Sequence, residues 1–178
     1  MALLAVVAVI VIARLPLGST VPLVTGGGPD GTPIVVGGSP LLNKPAPNID
    51  LVALDGSHVR LSDYLGRPVI VHFWASWCIP CRDEFPQFVA AMRDHAAQGL
   101  QILGVVHDDN ADAAAGFAAS EHATWPLLMD PQNSVWNAYI IPVGVPASIF
   151  IDRSGIVRAT SFGPVTPTGL PHQLAAIL

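Results

Sequence analysis

The chain has 178 residues, 51% of them hydrophobic and 12% charged, with a formal net charge of −5. That balance excludes a disordered chain and allows one domain with its own core plus a further segment. The eight Lys and Arg are scattered and form no basic stripe, so nucleic acid is not an expected partner.

Residues 2–13 (ALLAVVAVIVIA) form an unbroken apolar run, followed by Arg14. The run is shorter than the ~20 residues a spanning helix needs. The apolar trend resumes at Leu15 and continues to Val24, interrupted by Pro16 and Pro22. Residues 1–24 therefore read as a signal or anchor segment, and the lack of a clean small-residue cleavage site favours an anchor. The lone Arg14 would count towards a cytoplasmic C-terminal side, but a single charge weighs little. Residues 25–43, rich in Gly and Pro, read as a flexible linker. Gly26–Gly31 matches G-x-G-x-x-G literally, but no strand precedes it and Pro29 and Pro33 oppose a following helix, so dinucleotide binding is not expected.

From 44 to 178 the pattern alternates between strand and helix. Ile49–Leu54 and His58–Leu61 flank Asp55-Gly56 as a hairpin. Pro68–Trp74 and Leu100–Val106 read as buried strands, with a helix over 80–97 between them and another over Ala111–Ser120. Ala147–Ile151 and Ile156–Thr160 flank Asp152–Gly155 as a second hairpin, and Pro171–Leu178 closes as a short helix. The pattern predicts an α/β domain with a central mixed sheet flanked by helices.

The chain has two cysteines, three positions apart in Cys78-Ile79-Pro80-Cys81. A disulfide closing so small a loop constrains the unfolded chain little, so the spacing points to reactive sulfur rather than a staple. A buried strand ends at Trp74, a turn follows, and a helix begins. The first cysteine then sits at a helix N-terminus, where unpaired N–H groups favour a thiolate. Pro80 suits the first helical turn, where its missing N–H is no loss.

The stretch FWASWCIPC with Arg82-Asp83-Glu84-Phe85-Pro86 resembles the active site of TlpA/ResA-type thiol–disulfide oxidoreductases of the thioredoxin superfamily. The resemblance extends over most of 44–178. Ala46-Pro47 with Leu61–Tyr64 is similar to the family's lead-in, and Trp125–Asp130 to the end of its inserted segment. Gly144-Val145-Pro146, with Ser148–Asp152 and Gly155, is similar to its proline loop and last hairpin. The resemblance implies a thioredoxin-like fold, with Cys78 as the attacking cysteine and Cys81 as the resolving one. It implies no bound cofactor beyond the redox-active Cys78–Cys81 disulfide. Pro146 would be a cis-proline facing the sulfurs, with Val145 offering backbone groups to a substrate chain; the alternative is a strand-entry proline. Trp77 and Pro80 would contact substrate.

Glu84 stands where reductive members carry an acid near the sulfurs, which implies proton handling; a solvated carboxylate favoured by the helix dipole is the competing reading. His72 departs from the pattern, since thioredoxins proper carry a buried acid there and TlpA-like proteins often carry Asn. It would accept the proton of Cys81 or stand as a hydrogen-bonded core histidine. The histidines at 58, 95, 107, 122 and 172 show no ligand spacing, and no metal is expected. Trp74 reads as packing, and Trp125 and Trp136 as core.

The implied function is an extracytoplasmic enzyme, anchored at the membrane face or secreted into the periplasm, that reduces disulfides of exported proteins. Apocytochrome c in cytochrome c biogenesis is one substrate the resemblance implies. Its expected partners are oxidised proteins, a membrane electron donor, and the membrane itself through the N-terminal segment. Two alternatives stand beside it: a thiol peroxidase of peroxiredoxin type, and a non-catalytic chaperone or binding module.

Overall fold

The computed structural model describes residues 39–178. The apolar segment 1–24, the glycine-rich stretch 26–31 and most of the expected linker lie outside the described residues. The linker's last residues, 39–43, turn back onto the domain, where the Asn43 N–H donates to the Val157 carbonyl at 2.8 Å.

In chain order the elements are a hairpin of Asp50–Val52 (β1) and His58–Arg60 (β2), then Val69–Trp74 (β3), Ile79–Asp94 (α1), Gln101–Val106 (β4) and Ala111–Ser120 (α2). Leu127–Met129 (β5), Ser134–Ala138 (α3), Ala147–Ile151 (β6), Val157–Phe162 (β7) and Gly169–Ala175 (α4) complete the domain. The main sheet has the order β5-β4-β3-β6-β7. β3, β4 and β5 are parallel, while β6 and β7 are antiparallel to their neighbours. This is the mixed sheet flanked by helices that the alternating pattern predicted. β3 and β6 are buried along their whole length, which is why they read as continuous apolar runs.

Strand alternation divides the core into two faces. Ile70 and Trp74 of β3 pack with Phe85 and Phe88 of α1, Phe117 of α2 and Leu170 and Leu174 of α4. Val69, Val71 and Phe73 pack on the other side with Val135 of α3 and Tyr139. Between Ile70 and Trp74, on the α1 face, comes His72. Its cross-strand partners are Gly104 and Ser148, and Ser148 in turn pairs with Ser161. A row of polar or minimal side chains thus crosses an otherwise apolar sheet beneath α1. Gly104 has a steric reason to lack a side chain: an added Cβ would lie 3.0 Å from the indole nitrogens of both Trp74 and Trp125.

Several expectations change. α1 ends at Asp94 rather than 97, because a 3-10 turn over Ala96–Gln98 and a left-handed Gly99 (φ 77°) close it. β5 and α3 are too short to carry a period. They are organised instead by the buried Asp130, whose carboxylate accepts from the N–H groups of Ser134, Val135 and Trp136 at 2.8–2.9 Å. Trp125 is core, but Trp136 is only half-buried and stacks on the His107 ring at 3.7 Å.

Candidate active site

The site grows from the C-terminal end of β3. The chain leaves the sheet at Trp74, turns through 75–77, and enters α1 with Cys78 as N-cap. The Cys81 N–H donates to Cys78 Sγ at 3.2 Å. Cys78 and Cys81 form a disulfide with Cα atoms 5.3 Å apart. On reduction, the free amides of the first helical turn face Cys78 and favour its thiolate. Cys81 is wholly buried and Cys78 nearly so.

Two residues that the sequence reading passed over hold this turn. Asp109 accepts the Ser76 N–H at 2.5 Å through its carboxylate, and the Asp108 carbonyl accepts the Trp77 indole N–H at 2.9 Å. They follow the end of β4 by two and three residues, and the pairing of β4 with β3 in register (Trp74 opposite Val106) brings them under the turn. The Asp-Asp pair after a strand is the only trace of this in the sequence.

The rim is apolar. Trp77 is 57% exposed and Ile79 71%, and Pro80, in the first turn of α1, is exposed beside them. The Val145–Pro146 peptide is cis. The register opposing Ala147 to Phe73 sets Pro146 level with Trp74, at the sheet end from which the cysteines emerge. Val145 is half-buried against the cluster that contains both cysteines, and its peptide group has no backbone hydrogen-bond partner among the described residues. Val143 and Ile140, exposed on the loop before it, add apolar surface.

His72 and Glu84, 0% and 1% exposed, meet in the core where β3 packs on α1, His72 lying against the Phe85 and Phe88 rings. Glu84 follows Cys81 by three positions and shares the buried face of α1 with it. The reading of Glu84 as a solvated carboxylate is therefore corrected: the helix dipole is available to it, but the face it occupies is the core. Its Oε2 accepts the Val165 N–H at 2.7 Å. Burial pushes its carboxyl up to about 8, partly offset by that hydrogen bond. Burial likewise pushes His72 down to about 3, opposed by a hydrogen bond to the Ala147 backbone. Burial favours the uncharged form of each group where they approach, His72 Nε2 to Glu84 Oε1, at 3.4 Å. His72 is a hydrogen-bonded core histidine through its other nitrogen, which lies 3.1 Å from Ser148 Oγ.

Among the described residues, no three His, Cys, Asp or Glu side chains are grouped so as to hold a metal ion. A cavity of about 430 Å³ opens beside the turn, lined by His107, Asp108, Asp109, Met129, Asp130 and Asn133 among others.

A mixed sheet with a vicinal Cys pair capping a helix and a cis-proline loop at the same sheet end defines a thioredoxin-fold thiol–disulfide oxidoreductase. Comparison with known proteins agrees. The AhpC/TSA family pattern matches residues 42–160. The thiol-disulfide oxidoreductase ResA of Geobacillus kaustophilus is 33% identical over 132 residues, 74% of this chain and 75% of that protein. ResA of Bacillus subtilis is 31% identical over 121 residues, 68% of this chain and 67% of that protein. A putative thiol:disulfide interchange protein DsbE from Chlorobium tepidum superposes with a TM-score of 0.69 at 33% identity, covering 76% of this chain and 96% of that one. The chain belongs to the AhpC/TSA family and to the ResA-type thiol–disulfide oxidoreductases of the thioredoxin superfamily. The binding-module alternative finds no support among these relatives.

Proposed function

We propose that the chain is an extracytoplasmic protein disulfide reductase. The observation that carries the reading is the Cys78–Cys81 disulfide at the N-terminus of α1, set in an exposed apolar rim. In the reduced enzyme the Cys78 thiolate attacks a substrate disulfide, forming a mixed disulfide and releasing one substrate thiolate. The Cys81 sulfur attacks Cys78 Sγ while its proton passes, by way of the buried Glu84 and His72, to the departing substrate sulfur. The Cys78–Cys81 bond forms, and the second substrate sulfur leaves as a thiol. Two electrons pass from the dithiol to the substrate, and no bound cofactor takes part.

Trp77, Pro80, Val145 and Pro146 serve as the substrate-contacting surface. The unpaired Val145 peptide group and the apolar side chains around it suit an extended chain flanking an oxidised cysteine. Glu84 and His72 handle the proton of the buried Cys81. The apolar segment 2–13 and the Gly/Pro-rich linker support an anchored or exported location, with a membrane donor re-reducing the disulfide. Oxidised apocytochrome c is a substrate in keeping with the ResA-type relationship.

The test is the equilibrium reduction potential of the full chain against thiol buffers, read by alkylation and mass. A value near ~−270 mV or below supports reduction, and a value near ~−120 mV reverses the direction. The AhpC/TSA match keeps a thiol peroxidase as the second reading. Peroxide consumption by the reduced chain decides it.

A further inference from the structure

Two buried polar atoms, His72 Nε2 and Glu84 Oε1, face each other at 3.4 Å, and neither has a hydrogen-bond partner. Each would carry the cost of an unmade bond, about 1–3 kcal/mol, unless a proton lies between them. The question is which atom owns it. The His72 nitrogen that does have a partner is Nδ1, beside Ser148 Oγ at 3.1 Å. The Ser148 hydroxyl can accept from a proton-bearing Nδ1, and with both side chains buried a neutral Glu84 is the member left to donate across the Nε2–Oε1 gap. A neutral imidazole with its proton on Nδ1 presents a bare lone pair at Nε2. An imidazolium would place a full charge in a wholly buried site.

We propose that His72 and Glu84 hold one proton between them as a neutral pair, with Glu84 as the acid donating from Oε1 to a bare His72 Nε2 and the ring's own proton on Nδ1, directed into β6. His72 is thereby a positioning residue that acts through Glu84. It fixes which Glu84 oxygen carries the proton, while the Val165 N–H occupies the other. Around the pair, α1 contributes Cys81, which does not titrate while bonded to Cys78; β4 contributes Gly104; β6 and β7 contribute Ser148 and Ser161; and the loop after β7 contributes the Val165 amide. Among the described residues, no Lys or Arg lies within salt-bridge distance of Glu84. The inference rests on the assignment of this pair to proton handling and adds to it the place of the proton.

The experiment is nitrogen-15 NMR of the imidazoles in the full oxidised chain at pH 6, with infrared detection of the Glu84 carboxyl. The expected result is a protonated Nδ1, an unprotonated Nε2 and a carboxylic-acid C=O band that disappears in E84Q. A proton on Nε2, an imidazolium, or an ionised Glu84 at that pH would overturn the proposal. A second measurement follows the Glu84 titration in H72N. Loss of the Nε2 acceptor should displace its midpoint by about half to one pH unit, the worth of one neutral hydrogen bond. An unmoved midpoint would show that the two groups are not coupled. The tautomer is read without turnover. A chain that fails to reduce disulfides but shows the Nδ1–H ring would refute the reductase reading alone, and the converse pattern would refute only this one.

Discussion

The Trp77 indole N–H donates to the Asp108 carbonyl at 2.9 Å, although the side chain is 57% exposed. A large apolar ring left in solvent by its own hydrogen bond is held for contact rather than for stability. Trp77→Phe keeps an aromatic ring but loses the donor. We expect exchange with a protein disulfide to slow several-fold, while exchange with a small disulfide reagent and the unfolding midpoint stay nearly unchanged, as for most surface substitutions. Equal slowing with both substrates would assign the ring to the chemistry instead.

The helix N-terminus distinguishes the two sulfurs. Cys78 is the N-cap and accepts an amide, whereas Cys81 lies inside the first turn with no exposure. Cys81→Ser should therefore accumulate a mixed disulfide between Cys78 and substrate, because the resolving sulfur is gone. Cys78→Ser should trap none. Mass spectrometry after acid quench reads both, and trapping through Cys81 in the second variant would exchange the roles.

The buried pair makes stability depend on pH on both sides. Glu84 has its folded value raised from 4.5 to about 8, so its contribution is complete below 4.5 and is lost as pH rises towards 8. His72 has its folded value lowered from 6.5 to about 3, so its contribution is complete above 6.5 and is lost as pH falls towards 3. The two slopes cancel between 4.5 and 6.5. Denaturant unfolding should show a plateau there and a decline on either side, each limb falling by up to about 1.4 kcal/mol per pH unit. In Glu84→Gln the alkaline limb should disappear and the acid limb remain. An alkaline limb that survives the substitution would trace it to other groups.

Gly104 offers a test of the core that does not touch the sulfurs. Its place opposite His72 leaves room for the indoles of Trp74 and Trp125, and a methyl there would meet both nitrogens at 3.0 Å. Gly104→Ala should cost about 1–3 kcal/mol of stability, the usual penalty for overpacking. The loss would appear as a lower denaturant midpoint with an unchanged slope. A neutral result would mean that the two tryptophans have slack to move.

The sequence by itself determined the reactive pair and the element that presents it. Cys78-Ile79-Pro80-Cys81 after the apolar run ending at Trp74 dictates a strand, a turn and a helix N-terminus, because those are local consequences of burial, proline placement and helix start. The same local logic marked both hairpins through Asp55-Gly56 and Asp152–Gly155. What lies far apart in the chain was decided by the tertiary structure alone. His72 and Glu84 are 12 positions apart and on different elements, and only the packing of α1 onto β3 turns a surface-compatible acid into a buried one. Asp109 reaches Ser76 across 33 residues, and Ser148 reaches His72 across 76. β5 and α3 were invisible for a related reason: elements of three and five residues hold no period of their own. They exist because β4 lends β5 an edge and because Asp130 gathers the amides of α3, and both depend on the rest of the fold already being in place.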